Sequence, residues 1–257
     1  MASGSTTGIL LAAGLLTLAA PVSAQRAPSS GPTGLSADLL AMACAAPSLA
    51  YEPPPMPLRI TGGQDSFAHH VYYTSDLVTI NAGTRNGIAV GQEFFVRRAL
   101  VERRAPITLK TPASIRTAGW ITVYSVDEEM SLATVTHACD TIEVGDYLEP
   151  LVHREMPAAS ADRGEPTRGD YGRVQSGTDL RRTFGKGDFF VLDRGADFGI
   201  TPGANFVIYR DKKQSANFLY EIGEAVAVSV SATSATLRLT VTRDAVLQGD
   251  YVGMRTR

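Results

Sequence analysis

The chain has 257 residues, 44% hydrophobic and 19% charged, enough apolar material for one large core or two small ones and too much for a chain disordered throughout. A formal net charge of −2 excludes a global attraction to nucleic acid or anionic lipid, so any such binding would need a local patch.

Residues 1–24 carry no charge, and Gly8–Ala20 (GILLAAGLLTLAA) is a largely apolar run of 13 residues followed by Pro-Val-Ser-Ala. That pattern, a hydrophobic segment ahead of a small-x-small site, predicts an export signal removed after Ala24. Such a run spans about 20 Å as a helix, short of the roughly 30 Å hydrocarbon core, so a membrane anchor is the weaker reading. The expected location is periplasmic or secreted, with outer-membrane association left open. In an oxidising compartment Cys44 and Cys139 are expected to form one disulfide closing a loop of about 95 residues; the alternative is two buried free thiols.

Residues 25–58 are rich in Pro, Ser and Gly, except that Ser36–Ala46 (SADLLAMACAA) carries a Ser N-cap and an apolar stretch that predict a short helix. Pro53, Pro54, Pro55 and Pro57 end that segment and lead into a first β-rich module at 59–150. Residues 151–170 form a polar, small-residue linker, predicted to be flexible, before a second module at 171–257.

The modules are copies. Asp76–Arg98 aligns with Asp188–Arg210, with paired glycines 112 positions apart (195−83, 199−87, 203−91), and Gly119–Leu148 aligns with Gly223–Val252 at an offset of 104 (223−119, 249−145). The eight-residue difference falls in the connection between the blocks, which is longer in the first copy. Short β-branched or aromatic runs bounded by Gly, Asn or Asp predict strands at Leu77–Ile80, Phe94–Val96, Trp120–Val126, Leu132–Thr136 and Tyr147–Leu151. The second copy repeats them at Phe189–Leu192, Phe206–Tyr209, Ala225–Val230, Thr236–Val241 and Tyr251–Met254. The fold class is therefore all-β, with each module a small barrel or sandwich. Gly83, Gly87 and Gly91 read as tight bends or positive-φ positions.

Catalytic signatures are missing: no nucleophile elbow, no H-E-x-x-H and no phosphate-cradling loop. No enzyme and no cofactor is expected. Asp127-Glu128-Glu129 reads as a hairpin tip, because the second copy has Ser231-Ala232-Thr233 there. His69, His70, His137 and His153 read as solvated loop residues, not metal ligands, and Arg168-Gly169-Asp170 as a chance tripeptide. The Gly-Asp-Tyr at Gly145–Tyr147 and Gly249–Tyr251 reads as a turn whose Asp bonds a downstream backbone N–H. The strongest charge feature is the variable connection of the first copy, where Arg97, Arg98, Arg103, Arg104, Lys110 and Arg116 face only Glu102, a candidate basic docking loop or else an edge charged against aggregation.

The repeated pattern of a hydrophobic strand, Gly-x-x-x-Gly-Ile-x-x-Gly, Phe-x-Val/Ile-x-Arg and a closing Gly-Asp-Tyr resembles the C-terminal domain of flagellar assembly protein T. It is also similar to modules of uncharacterised envelope proteins, some of them carrying LysM domains. What the resemblance implies is two tandem SH3-like β-barrels working as non-enzymatic assembly or docking modules in the periplasm. The expected function is a cell-envelope scaffold that binds protein partners through barrel loops. The alternative is binding of peptidoglycan or another envelope polysaccharide, with Trp120, Tyr72 or Tyr73 as stacking candidates, although Trp120 reads rather as a buried core residue. An enzyme with a site between the modules is the least favoured reading.

Overall fold

A computed structural model describes residues 1, 36–50, 55, 58–65, 69–100, 113–152, 155–161, 164–166, 169–177, 180–211 and 218–256. The predicted export signal, Arg103, Arg104, Lys110, Arg168 and His153 lie outside these residues.

The first unit begins with helix α1 (Ala37–Ala45), whose N-cap Ser36 hydroxyl accepts the Leu39 N–H at 3.3 Å, and continues into strand β1 (Ser48–Ala50). There follow β2 (Ile60–Gly63), β3 (Val71–Tyr72), β4 (Leu77–Ile80), β5 (Glu93–Leu100), β6 (Ala113–Val126), β7 (Ser131–Ala138), β8 (Ile142–Glu143) and β9 (Tyr147–Pro150). The second unit holds β10 (Gly172–Gly177), β11 (Thr183–Phe184), β12 (Phe189–Leu192), β13 (Asn205–Asp211), β14 (Leu219–Val230), β15 (Ala235–Thr242), β16 (Val246–Leu247) and β17 (Tyr251–Met254). The chain is mostly β, as its sequence predicts.

In the second unit β10-β12-β15-β14-β13-β17 is a closed barrel, β10 returning to β17 through the pairs Gly172↔Val252 and Arg173↔Tyr251. The first unit has the same order, β2-β4-β7-β6-β5-β9, with β1 added alongside β6; its two ends meet at one bridge, Arg59↔Tyr147. The register breaks repeat too. Bulges at Trp120/Ile121 and Val123/Ser125 recur at Glu224/Ala225 and Ala227/Ser229, the sequence offset of 104 (224−120, 227−123). The break at Val96/Arg97 recurs at Ile208/Tyr209, the offset of 112 (208−96). Each bulge bends its strand, and curvature at these places lets a short sheet close on itself.

The strands alternate into two separate cores. Ile60, Val78, Ile80, Phe94, Val96, Ile121, Val123, Val135 and Leu148 fill the first, and Val174, Phe190, Leu192, Phe206, Ile208, Ala225, Leu237 and Val252 the second. Gly83 precedes a 3₁₀ turn at Thr84–Asn86 and has an extended φ of −138°, so positive φ is not the reason for glycine there. A Cβ would overlap the Asp127 carbonyl at the β6–β7 tip, to which Thr84 N–H donates at 2.9 Å; Gly195 stands in the same way against the Ser231 carbonyl. Gly87 and Gly199, which end the 3₁₀ turns, do have positive φ, at 77° and 74°.

The connection between the units departs from the flexible spacer expected of its composition. Its described residues are strapped to the second unit: Ser160 N–H donates to Gly203 O at 2.7 Å, the Asn205 amide to Ser160 O at 2.8 Å, and Pro166 bridges Arg255. The N-terminal segment also reaches across. The Thr236 hydroxyl donates to Pro47 O at 2.6 Å, and Arg238 pairs with Asp38 at 2.9 Å.

Candidate docking surface

The described members of the basic connection are engaged in ion pairs. Arg98 makes a bidentate pair with Asp146 (Nε–Oδ1 2.6 Å, Nη2–Oδ2 2.6 Å) and reaches Glu143 at 2.5 Å and the Thr141 carbonyl at 3.0 Å. Arg210 does the same with Asp250 (2.9 and 2.7 Å), Asp244 (3.2 Å) and the Ala245 carbonyl (2.5 Å). The hydrogen bond to the Asp holds each guanidinium above its ordinary pKa, against the opposing effect of desolvation. These clamps fasten the outer half of a long hairpin to the turn before the last strand. They give the Gly-Asp-Tyr motif its structural meaning. Asp146 and Asp250 also accept a backbone N–H, but from the residue three positions upstream, Glu143 (2.8 Å) and Leu247 (2.7 Å), not downstream. Arg97 pairs with Glu149 at 3.2 Å and lies 4.4 Å from the Phe95 ring centroid, and Arg116 pairs with Asp140 at 2.7 Å. Arg97, Arg98 and Arg116 thus build the fold, and a loop cation available to a partner would have to come from elsewhere in the connection.

Two of the three predicted stacking residues are buried. Trp120 is 3% exposed, its ring against His137 (centroids 4.4 Å apart, planes at 24°) and edge-on to Phe95. Tyr72 is 4% exposed, donates its hydroxyl to His69 O at 2.7 Å, and has its pKa pushed up by burial. Tyr73 remains exposed.

A different aromatic row lies on the second barrel. Register places Arg173 (β10), Tyr251 (β17) and Tyr209 (β13) side by side across three adjacent strands. The Tyr171 ring, just before β10, meets both others edge-on, 5.7 Å from Tyr209 and 5.8 Å from Tyr251, while the Arg173 guanidinium lies 3.4 Å from the Tyr251 ring centroid. All four side chains are half-buried. Together the three rings and the Arg173 guanidinium form a partly accessible aromatic patch with phenolic groups, a surface of mixed apolar and hydrogen-bonding character.

The corresponding row of the first unit is Arg59, Tyr147 and Arg97, from Arg59↔Tyr147 and Arg97↔Tyr147. There Tyr147 is 2% exposed, packed with Ala113, Ile115 and Ala99, and burial drives its pKa up. The central tyrosine of the row is therefore fully buried in one copy and only partly buried in the other. Sequence reasoning missed the row because the three tyrosines are far apart in the chain, and Tyr147 and Tyr251 share a motif but not an exposure.

The expected disulfide is present. Cys44 of α1 and Cys139, just after β7, are bonded, with Cα atoms 5.4 Å apart. His137 is a strand residue, not the loop residue expected, and burial lowers its pKa. The acidic triplet sits at the β6–β7 tip as expected, where Glu128 and Glu129 hold Arg85, each at 2.5 Å. An open groove on the second barrel is lined by Thr183, Phe184, Gly185, Thr242, Arg243, Asp244 and Ala245; Asp244 is held there by Arg210 and Arg243 by Glu221.

No protein-family model matches the chain, and no curated protein matches it. Among the described residues no helix is long and apolar enough to cross a membrane.

Proposed function

We propose that this is an exported, non-enzymatic scaffold of the cell envelope, built from two copies of one small SH3-like barrel, and that the second copy carries its docking surface. The observation behind this reading is the tyrosine row Tyr171, Tyr251 and Tyr209, partly accessible on the second unit where Tyr147, its counterpart in the first, is fully buried. A duplicated module that buries this tyrosine in one copy and leaves it partly accessible in the other divides the work, the first copy anchoring the N-terminal segment and the second meeting the partner. The ionisable groups of the groove beside β11 are tied in ion pairs that also fasten the fold, which favours binding over catalysis. The partner expected is a protein presenting an apolar side chain to this tyrosine patch. The likeness to the C-terminal domain of flagellar assembly protein T is part of the same proposal and extends to the module, without a flagellar role.

A double variant, Tyr171→Ala with Tyr209→Ala, tests it in a crosslinking pull-down from envelopes, beside sedimentation with protein-stripped sacculi. The wild type is expected to capture a discrete protein that the variant loses, with neither pelleting on sacculi. Retention of the wild type on stripped sacculi would overturn the scaffold reading in favour of polysaccharide binding.

A further inference from the structure

We propose that opening the Cys44–Cys139 disulfide turns the junction of α1 and β7 into a site for a thiophilic d¹⁰ cation such as Zn²⁺, ligated by both cysteine sulfurs and the His137 imidazole. The two sulfurs and a ring nitrogen of His137 all lie within 4.8 Å of one another. Once the bond opens, the sulfurs need to move only to about 3.8 Å apart, the edge of a tetrahedron of roughly 2.3 Å Zn–S bonds, with water completing the set. Soft thiolates beside an imidazole select this class of ion over Mg²⁺ or Ca²⁺.

The ligands are delivered by elements that other contacts hold in place. His137 lies in β7 and Cys139 one residue past its end, where the Cys139 N–H donates to the Ala118 carbonyl at 2.9 Å and holds the turn against β6. Helix α1 stays tethered without the disulfide: β1 pairs with β6 through Ser48↔Ile115, Leu49↔Ser114 and Ala50↔Ala113, the Pro47 carbonyl accepts from Thr236, and Asp38 pairs with Arg238. Stacking on Trp120 fixes the plane of the His137 ring. All three ligand residues are partly buried, so the site is neither sealed nor fully in solvent.

Opening the bond takes two electrons from a dithiol reductant. One of its thiolates attacks a cysteine sulfur and breaks the S–S bond, its second thiol resolves the mixed disulfide, and it leaves as its own disulfide while Cys44 and Cys139 become thiols. The cation then displaces both thiol protons to water. The disulfide is in this sense a gate, closed to metal when oxidised.

The test uses the whole purified protein, either oxidised or reduced with a phosphine that is then removed, titrated with Zn²⁺ against a chromogenic chelator. Reduced protein is expected to take up one equivalent with a change in the fluorescence of Trp120, the only tryptophan, and oxidised protein none. His137→Ala and His137→Gln, each with its fold checked by circular dichroism, are expected to weaken uptake by at least about tenfold and to abolish the fluorescence change. Equal uptake by oxidised and reduced protein, or unaltered uptake by both folded His137 variants, overturns the proposal.

Discussion

Arg98 and Arg210 show how one residue type carries opposite meanings in the same run of sequence. Arg98 lies among six basic residues that read as a docking loop or as an edge charged against aggregation, yet its side chain is 14% exposed and clamps Asp146, 48 positions away and 3% exposed. Nothing local to either residue announces the pairing; only its recurrence as Arg210 with Asp250 does, and that needed the fold. Replacing Arg98 with Met strands a buried carboxylate, and the expected loss is about 3 kcal/mol in urea unfolding. Replacing Arg85, which meets Glu128 and Glu129 at a 62% exposed site, is expected to cost less than about 1 kcal/mol. Tyr147 gives a second expectation. Burial raises its folded pKa above the unfolded value of about 10, so its contribution is fully present below that pH and is lost as pH rises and the unfolded phenol ionises first. Wild type is therefore expected to lose stability between about pH 10 and 11.5 more steeply than Tyr147→Phe.

Among the elements, strands with continuous β-branched or aromatic runs were legible: Leu77–Ile80, Phe189–Leu192 and Tyr251–Met254 occupy the predicted residues. The first strand of each repeated sheet was not. Ile60–Gly63 ends, and Gly172–Gly177 begins and ends, in glycines that look like turns but make room for neighbours; a Cβ on Gly63 would stand 2.6 Å from the Tyr72 ring, and one on Gly177 would overlap the Phe184 ring and stand 3.0 Å from the Phe189 carbonyl. The two-residue ladders β3–β8 and β11–β16 are too short to leave a periodic signal. The turn glycines separate two causes that spacing alone merges. Gly83→Ala drives a Cβ into backbone and is expected to cost about 2–3 kcal/mol, whereas Gly87→Ala meets open space at positive φ and is expected to cost about 1 kcal/mol, by chemical denaturation.

Across the whole molecule the duplication was visible in sequence, down to the two offsets that the bulges later repeat and the longer connection of the first copy, but what that connection packs against was not. The difference between the copies arises from the long β5–β6 hairpin, whose Ala99, Ala113 and Ile115 bury Tyr147, and from the N-terminal segment that the disulfide locks against β7. The disulfide spans 95 residues, and a Cys44→Ser, Cys139→Ser variant is expected to lose about 4 kcal/mol, in one transition for the first unit. The second copy keeps Tyr251 only partly buried beside Tyr209, where the first has the buried Tyr147 beside Arg97. Exchanging that single residue tests the division of labour most directly: Tyr209→Arg gives the second row the first row's composition on an intact barrel. Measured by site-specific crosslinking in intact envelopes, this variant is expected to fold with an unchanged unfolding midpoint and to lose its protein adduct; an undiminished adduct from the folded variant would contradict the assignment of docking to the second barrel.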